Sequence, residues 1–369
     1  MTRSMQWLGS ASALALALTP ALAAAAPVGT AANADITNTV SVSYKVGTID
    51  QTAVTASDTF KVDRKIDLVV TTQESAAVSV SPGQTNAVTR FLVTNNSNAT
   101  IDFLLAATQQ TGGAGKFSGT DNFSIAALNV HVFVETNGTA GWQASDTQAT
   151  SLAAVASGDA VTVYVVSDIP LGQANGDIAT QILTATAATG VTASTGYAGT
   201  GGSILGQTAA GTANGKTTME TVWADAQAEA LTLDGLKDGK HAARADYRVT
   251  AAALAVAKYS RIVSDPFSGA ASPRAIPGAL VEYCIVISNA AGATTADAVI
   301  ASDAIPATLT YVANTVFLNG TFNGTDTCTN TGGTAGNDGT NLSGSTVSNN
   351  FGSVAAGVTR TLRFQATIK

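Results

Sequence analysis

The sequence predicts an all-β chain of two or more β-sandwich domains in tandem, behind a cleaved leader. Three observations carry that expectation. Apolar residues recur with period two, as they do in half-buried strands: Val281, Tyr283, Ile285 and Ile287 form one such set, and Val40, Val42, Tyr44 and Val46 another. The runs are short and are separated by Gly, Asn, Asp, Ser and Pro, which favours a sandwich or barrel over an α/β fold. Charged residues make up 12% of the chain, against roughly 25% in average globular proteins. Ala, Thr, Ser, Gly, Val and Asn take their place, the profile of an exported β-protein.

Taken in order, residues 1–23 read as a secretory signal peptide. Arg3 supplies the positive start, residues 8–18 the apolar stretch, and Ala21-Leu22-Ala23 a small-x-small cleavage site. A membrane anchor needs about 20 apolar residues, and Pro20 interrupts this run. A first β domain is expected over 36–188, opening with the strand 36–46. Further strands are expected near 53–62, 66–72, 88–94, 101–107, 130–135, 161–166 and 178–187. Residues 189–218 are rich in Gly, Thr, Ala and Ser and read as a linker or long loop. A second β domain is expected over 219–369 with its core at 256–369, and its charged stretch 233–245 reads as an exposed loop. No later apolar run approaches spanning length, so no transmembrane segment is expected in the mature chain.

The two halves share an ordered set of steps. Asp58-Thr59-Phe60-Lys61-Val62, Leu68-Val69-Val70, Pro82-Gly83 and Phe91-Leu92-Val93-Thr94-Asn95 occur in the first. Asp246-Tyr247-Arg248-Val249, Leu254-Ala255-Val256, Pro277-Gly278 and Ile285-Val286-Ile287-Ser288-Asn289 occur in the second. The common order points to an internal duplication.

The second half also carries Ala298 to Ile300, Asp303, Pro306, the step Leu309-Thr310-Tyr311-Val312 and a later strand within 354–367. With Pro277-Gly278 and Ile287-Ser288-Asn289, these residues resemble the conserved repeat domain of bacterial surface proteins, an immunoglobulin-like module of unknown function (domain of unknown function eleven). The match is best over 256–369. The resemblance implies immunoglobulin-like sandwiches in an extracellular or cell-surface setting, with the periplasm as the alternative, and it brings no catalytic residues.

Chemistry-bearing residues are few. Cys284 and Cys328 are the only cysteines, and an even count in an exported chain favours a disulfide. His131 falls in a strand and His241 in the charged stretch, with no Gly-x-Ser-x-Gly elbow to accompany either. Zinc needs three or four clustered ligands, and Asp234 with Asp238 lacks the spacing of a calcium loop. No catalytic, cofactor-binding or metal-ligating residue is therefore expected. A net charge of −7 argues against nucleic acid as a partner. The composition and the resemblance point to a non-catalytic structural or adhesive surface protein. Its partners would be other surface proteins, glycans, or itself through the edge strands 36–46 or 361–368. The alternative is a glycan- or protein-binding module acting through loops 112–122 or 319–344, and Trp142 and Trp223, outside those loops, could stack on sugars. A hydrolase with paired carboxylates is more remote.

Overall fold

The alternating runs of the sandwiches become strands with one buried face, but the run Val40 to Val46 does not. Its strand ends at Val42, and Val40, Val42, Tyr44 and Val46 are all exposed, so it is not the half-buried opening strand expected of the first domain. In Ala87–Asn95 the buried positions are Ala87, Thr89, Phe91, Val93 and Asn95, the pleat of a sheet packed on one side. The computed structural model describes residues 28–209, 215–227 and 234–369, and the expected signal peptide lies outside them. Among these residues the only helical elements are the single turn Ala127–Asn129 and the four-residue Asp338–Asn341. The expected class, tandem β-sandwiches, is the one observed.

In the first sandwich, one sheet runs Thr147–Gln148, Val130–Val134, Ala160–Ser167, Ala87–Asn95, Leu68–Thr72. The facing sheet runs Thr192–Ala193, Ala198–Thr200, Ser151–Val155, Ile101–Gln109, Ile178–Thr189, Lys240–Val249, Val78–Val80, with Ser203–Ile204 beside Ile178–Thr189. Leu68, Phe91, Val93, Phe103, Leu152, Val163 and Leu183 fill the space between them, each with no exposed surface. Tyr247 ties the layers together. Its hydroxyl donates to the Ala87 carbonyl at 2.9 Å on the opposite sheet, and burial pushes its pKa up to about 12.

The second sandwich repeats the plan on a smaller scale. One sheet runs Leu254–Ser264, Leu280–Asn289, Thr359–Ile368, Phe317–Leu318, Thr334–Ala335, with Leu309–Tyr311 also on Thr359–Ile368. The other holds only Ala296–Ala304, Thr346–Val354 and Leu342–Ser343. Ile285, Ile287, Val299, Val347, Leu362 and Phe364 form the core.

Register agrees with the later shared steps but not with the first. Val54–Lys61 is exposed and pairs only Asp35–Val42, whereas Lys240–Val249 is a mostly buried strand of the first sandwich between Ile178–Thr189 and Val78–Val80. Leu68 pairs with Asn95 as Leu254 pairs with Asn289, and Val70 pairs with Val93 as Val256 pairs with Ile287. The glycines of the two Pro-Gly steps both adopt positive φ, +77° at Gly83 and +85° at Gly278, as a tight turn into a strand requires. Asn95 and Asn289 are both buried, and their amides do the same work. Asn95 Nδ2 donates to the carbonyls of Ala99 and Val155, each at 2.9 Å. Asn289 Nδ2 donates to Thr294 at 2.8 Å and to Val354 at 2.9 Å. Both therefore clamp a Val-Ala-x-Gly turn, Val155-Ala156-Ser157-Gly158 in one half and Val354-Ala355-Ala356-Gly357 in the other. That second shared motif extends the repeat beyond the steps noted above.

The boundaries differ from those expected. The sequence predicts a second β domain from 219, but Thr221–Trp223 pairs with Arg64–Ile66, and Lys240–Val249 pairs with Ile178–Thr189. The second sandwich thus begins at Leu254. Residues 233–245 are not an exposed loop over their strand portion: Ala242 and Ala245 have no exposed surface and His241 is buried. Most of the strand is covered on both faces, so His241, Arg244 and Asp246 mark partnered positions and no period-two pattern survives. The stretch 189–218, expected as a linker, supplies three short strands to the first sandwich over its described part.

Candidate functional site

The buried aspartates Asp121, Asp225, Asp234 and Asp246 are turned on the chain's own backbone, whereas buried Glu282 faces side chains. Asp246 accepts from the N–H groups of Lys116 at 2.9 Å and Phe117 at 2.8 Å, and from Thr180 Oγ1 at 2.7 Å. Asp121 accepts from Gly112 N at 2.9 Å and Thr180 N at 3.1 Å, and desolvation raises its pKa. Thr180 thus bridges two carboxylates, but the loop 112–122 lies over them and its N–H groups occupy their oxygens. This loop, a candidate binding surface from the sequence, is fastened at its base. Arg244 adds to the fastening through Gln110 Oε1 at 3.0 Å and the Ala114 carbonyl at 3.1 Å.

The Asp234 and Asp238 pair behaves the same way. Asp234 accepts from Ala242 N at 3.1 Å, and Asp238 from Gly235 N at 3.1 Å and Lys240 N at 3.0 Å. Asp225 accepts from the N–H groups of Asp238 and Gly239, both at 3.0 Å. Among the described residues, no three of His, Cys, Asp and Glu lie together as a metal-ligand group. His241 Nδ1 accepts from Val70 N at 3.0 Å, and burial lowers its pKa, so the neutral ring serves as a cross-sheet acceptor. His131 stays exposed on Val130–Val134. Trp142 is half-buried, edge-on to Phe133 with ring centroids 5.5 Å apart, and Trp223 sits against Gly239.

Cys284 and Cys328 are joined in a disulfide with Cα atoms 5.4 Å apart. It lies on the outer face of the second sandwich with Val286, where Tyr259 stacks on Phe322 at 5.1 Å between centroids. On the same face Glu282 is buried against Arg261 Nε at 2.9 Å and Gln365 Nε2 at 2.9 Å. The bond fastens the 319–344 loop to the sheet and leaves the core untouched.

Two surfaces are not used up in this way. One is an N-terminal ribbon, Asp35–Val42 paired antiparallel with Val54–Lys61, which forms a two-stranded sheet of its own. Ile36 lies opposite Phe60, Asn38 opposite Asp58, Val40 opposite Ala56 and Val42 opposite Val54, so this face is apolar apart from the Asn38–Asp58 pair; Thr37, Thr59, Thr39, Ser57, Ser41 and Thr55 share the other. The apolar face is uncovered, with Val40 58% and Val42 55% exposed. The ribbon is held at its base, where Lys61 N donates to Lys216 O and Lys216 Nζ pairs with Asp58 at 2.7 Å. The other surface is the outer edge of Ala296–Ala304, which ends its sheet. The sequence offers the strands 36–46 and 361–368 as edges, and the second is not one: Thr359–Ile368 pairs Leu280–Asn289 on one side and Leu309–Tyr311 and Phe317–Leu318 on the other. The open side of Ala296–Ala304 had no sequence signal, because it depends on which strands are missing beside it.

No protein-family model matches this sequence, and no curated protein matches it. Among solved structures, the chain is similar to a membrane-anchored protein from Corynebacterium diphtheriae at 11% identity and a TM-score of 0.20, over 91% of this chain and 89% of that one. It is also similar to the T6 backbone pilin of Streptococcus pyogenes serotype M6, a modular three-domain protein, at 9% identity and a TM-score of 0.21. That alignment spans 83% of this chain and 54% of the pilin, about half its length. Likenesses this weak carry no weight for the function of this chain.

Proposed function

We propose that this is an exported, non-catalytic structural or adhesive protein of the cell surface or extracellular space, built of immunoglobulin-like modules of the conserved-repeat kind. The supporting observation is how its buried polar groups are employed. Asp121, Asp225, Asp234, Asp246, Asn95 and Asn289 all bond to the protein's own backbone, where they fix loops and turns. A fold that spends its carboxylates on its own architecture acts through its surfaces. The weakly charged Thr/Ser/Asn exterior and the disulfide on the outer face fit an oxidising, extracellular setting. Fractionation of the native cells tests this, together with thiol labelling under denaturing, non-reducing conditions. The expected result is protein in the surface or released fraction with no free thiol. Cytosolic protein with both thiols free would contradict the proposal.

A further inference from the structure

The two sandwiches share their first sheet and only part of their second. In the first, the outer edge of Ile101–Gln109 carries Ile178–Thr189, and that strand carries Lys240–Val249, an antiparallel pair registered over nine residues. The pair closes that side of the sandwich, and Leu68 and Val70 beneath it are 0% and 2% exposed. In the second sandwich the matching strand is Ala296–Ala304, which pairs Thr346–Val354 as Ile101–Gln109 pairs Ser151–Val155. No strand among the described residues occupies its outer edge. The residues that match Leu68 and Val70 in register are Leu254 and Val256, and they are 45% and 68% exposed. Leu stands for Leu and Val for Val; only the cover differs. An open row of backbone N–H and C=O groups beside exposed aliphatic side chains is an invitation to strand addition. Lys258, paired with Asp303 at 2.7 Å, bounds the opening by joining its two sheets.

The missing cover is a two-stranded antiparallel ribbon, and the chain carries one that has nothing to cover. Asp35–Val42 and Val54–Lys61 are registered over eight residues, close to the nine of the pair that closes the first sandwich. An isolated hairpin is at best marginally stable in water, and this one keeps Ile36, Val40, Val42, Val54 and Phe60 exposed. Within one chain the ribbon is anchored at the first sandwich, where Ala32 N donates to Asn98 O, and its apolar face stays uncovered. We propose that the ribbon of one copy adds to the outer edge of Ala296–Ala304 in a second copy and closes over its Leu254 and Val256, joining copies head to tail. The proposal deepens the structural reading above by naming the partner as a second copy. Because the ribbon and the opening are different surfaces, the contact is heterologous, and it propagates into filaments unless it closes into a ring.

Light scattering of the purified full chain over a range of concentrations tests this, with far-UV circular dichroism and an intact disulfide as controls for folding. The wild-type mass should rise with concentration. The ribbon variant Val40→Asp/Val42→Asp should weaken association at least tenfold, and so should the opening variant Val256→Asp. Mixed together, the two variants should form a dimer and nothing longer, since one retains the only working ribbon and the other the only working opening. A wild type that stays monomeric at all concentrations overturns the proposal, whether the opening is empty or filled by the chain's own ribbon. Loss of association in the ribbon variant alone also overturns it, by showing a ribbon-to-ribbon contact. An exported chain that stays monomeric would leave the surface reading standing, and a self-associating chain found in the cytosol would do the reverse.

Discussion

Asn95 and Asn289 each convert one side-chain amide into a brace between two backbone carbonyls. Replacing either with Ala removes two hydrogen bonds from a buried site, each worth about 1 kcal/mol. Each variant should therefore lose about 2 kcal/mol or more, read by chemical denaturation, and Asn289→Ala should act on the second sandwich. Neutral substitution at both sites would show that the clamps are incidental. Asp265 sets a different expectation, on acid stability. Its carboxylate accepts from Ser268 Oγ and Ser268 N at 2.6 Å each, from Arg274 N at 2.6 Å and from Phe267 N at 2.7 Å. The Ser268 hydroxyl, then its N–H, hold the pKa below the usual carboxylate range. A depressed folded-state pKa gives stability that is present above the ordinary carboxylate pKa and lost as pH falls through the lower, folded value. Asp265→Asn should be less stable than wild type at pH 7, with the gap shrinking below about pH 4, as melting temperatures at several pH values would show. A gap that stays constant into acid would contradict this.

At the scale of elements, Lys240–Val249 carries the sharpest consequence. It is the strand that turns the first sandwich's second sheet from an open edge into a closed side. A chain ending at residue 218 should therefore fail to form a protected core, whereas one ending at Thr250 should fold cooperatively. Proton spectra of the two fragments distinguish the cases, and a well-dispersed spectrum from the shorter fragment would place the boundary earlier. Much of this architecture was legible in the sequence. The Pro-Gly turns, the alternation in Leu280–Asn289 and the even pair Cys284 and Cys328 all follow from local chemistry. Lys240–Val249 was not legible. Ala242, Ala243, Ala245 and Tyr247 are buried, while the side chains of His241, Arg244 and Asp246 find partners in neighbouring loops and strands. Burial on both faces removes the period-two signal, and partnered charges imitate a solvated loop.

For the whole molecule, the repeat matters most where its two copies diverge. Both halves keep the asparagine clamp, the Pro-Gly turn and the strand register, yet one is closed by its own chain and the other presents an unpaired edge. No residue-level motif announces that difference, since an edge is defined by the strand that is not there. The candidate surfaces were accordingly legible only in part: the strand 36–46 as a candidate for pairing, though expected inside the first domain, and the opening only from topology. The most direct measurement is amide hydrogen exchange on the intact protein at low and high concentration. It should compare Leu254–Ser264 and Ala296–Ala304 with their counterparts Leu68–Thr72 and Ile101–Gln109. The counterparts should be protected throughout. The outward-facing amides of Ala296–Ala304 should exchange quickly in dilute protein and become protected as concentration rises, together with those of the ribbon Asp35–Val42 and Val54–Lys61. Protection of Ala296–Ala304 that is already complete in dilute protein, or absent at every concentration, would contradict an opening that a second copy fills.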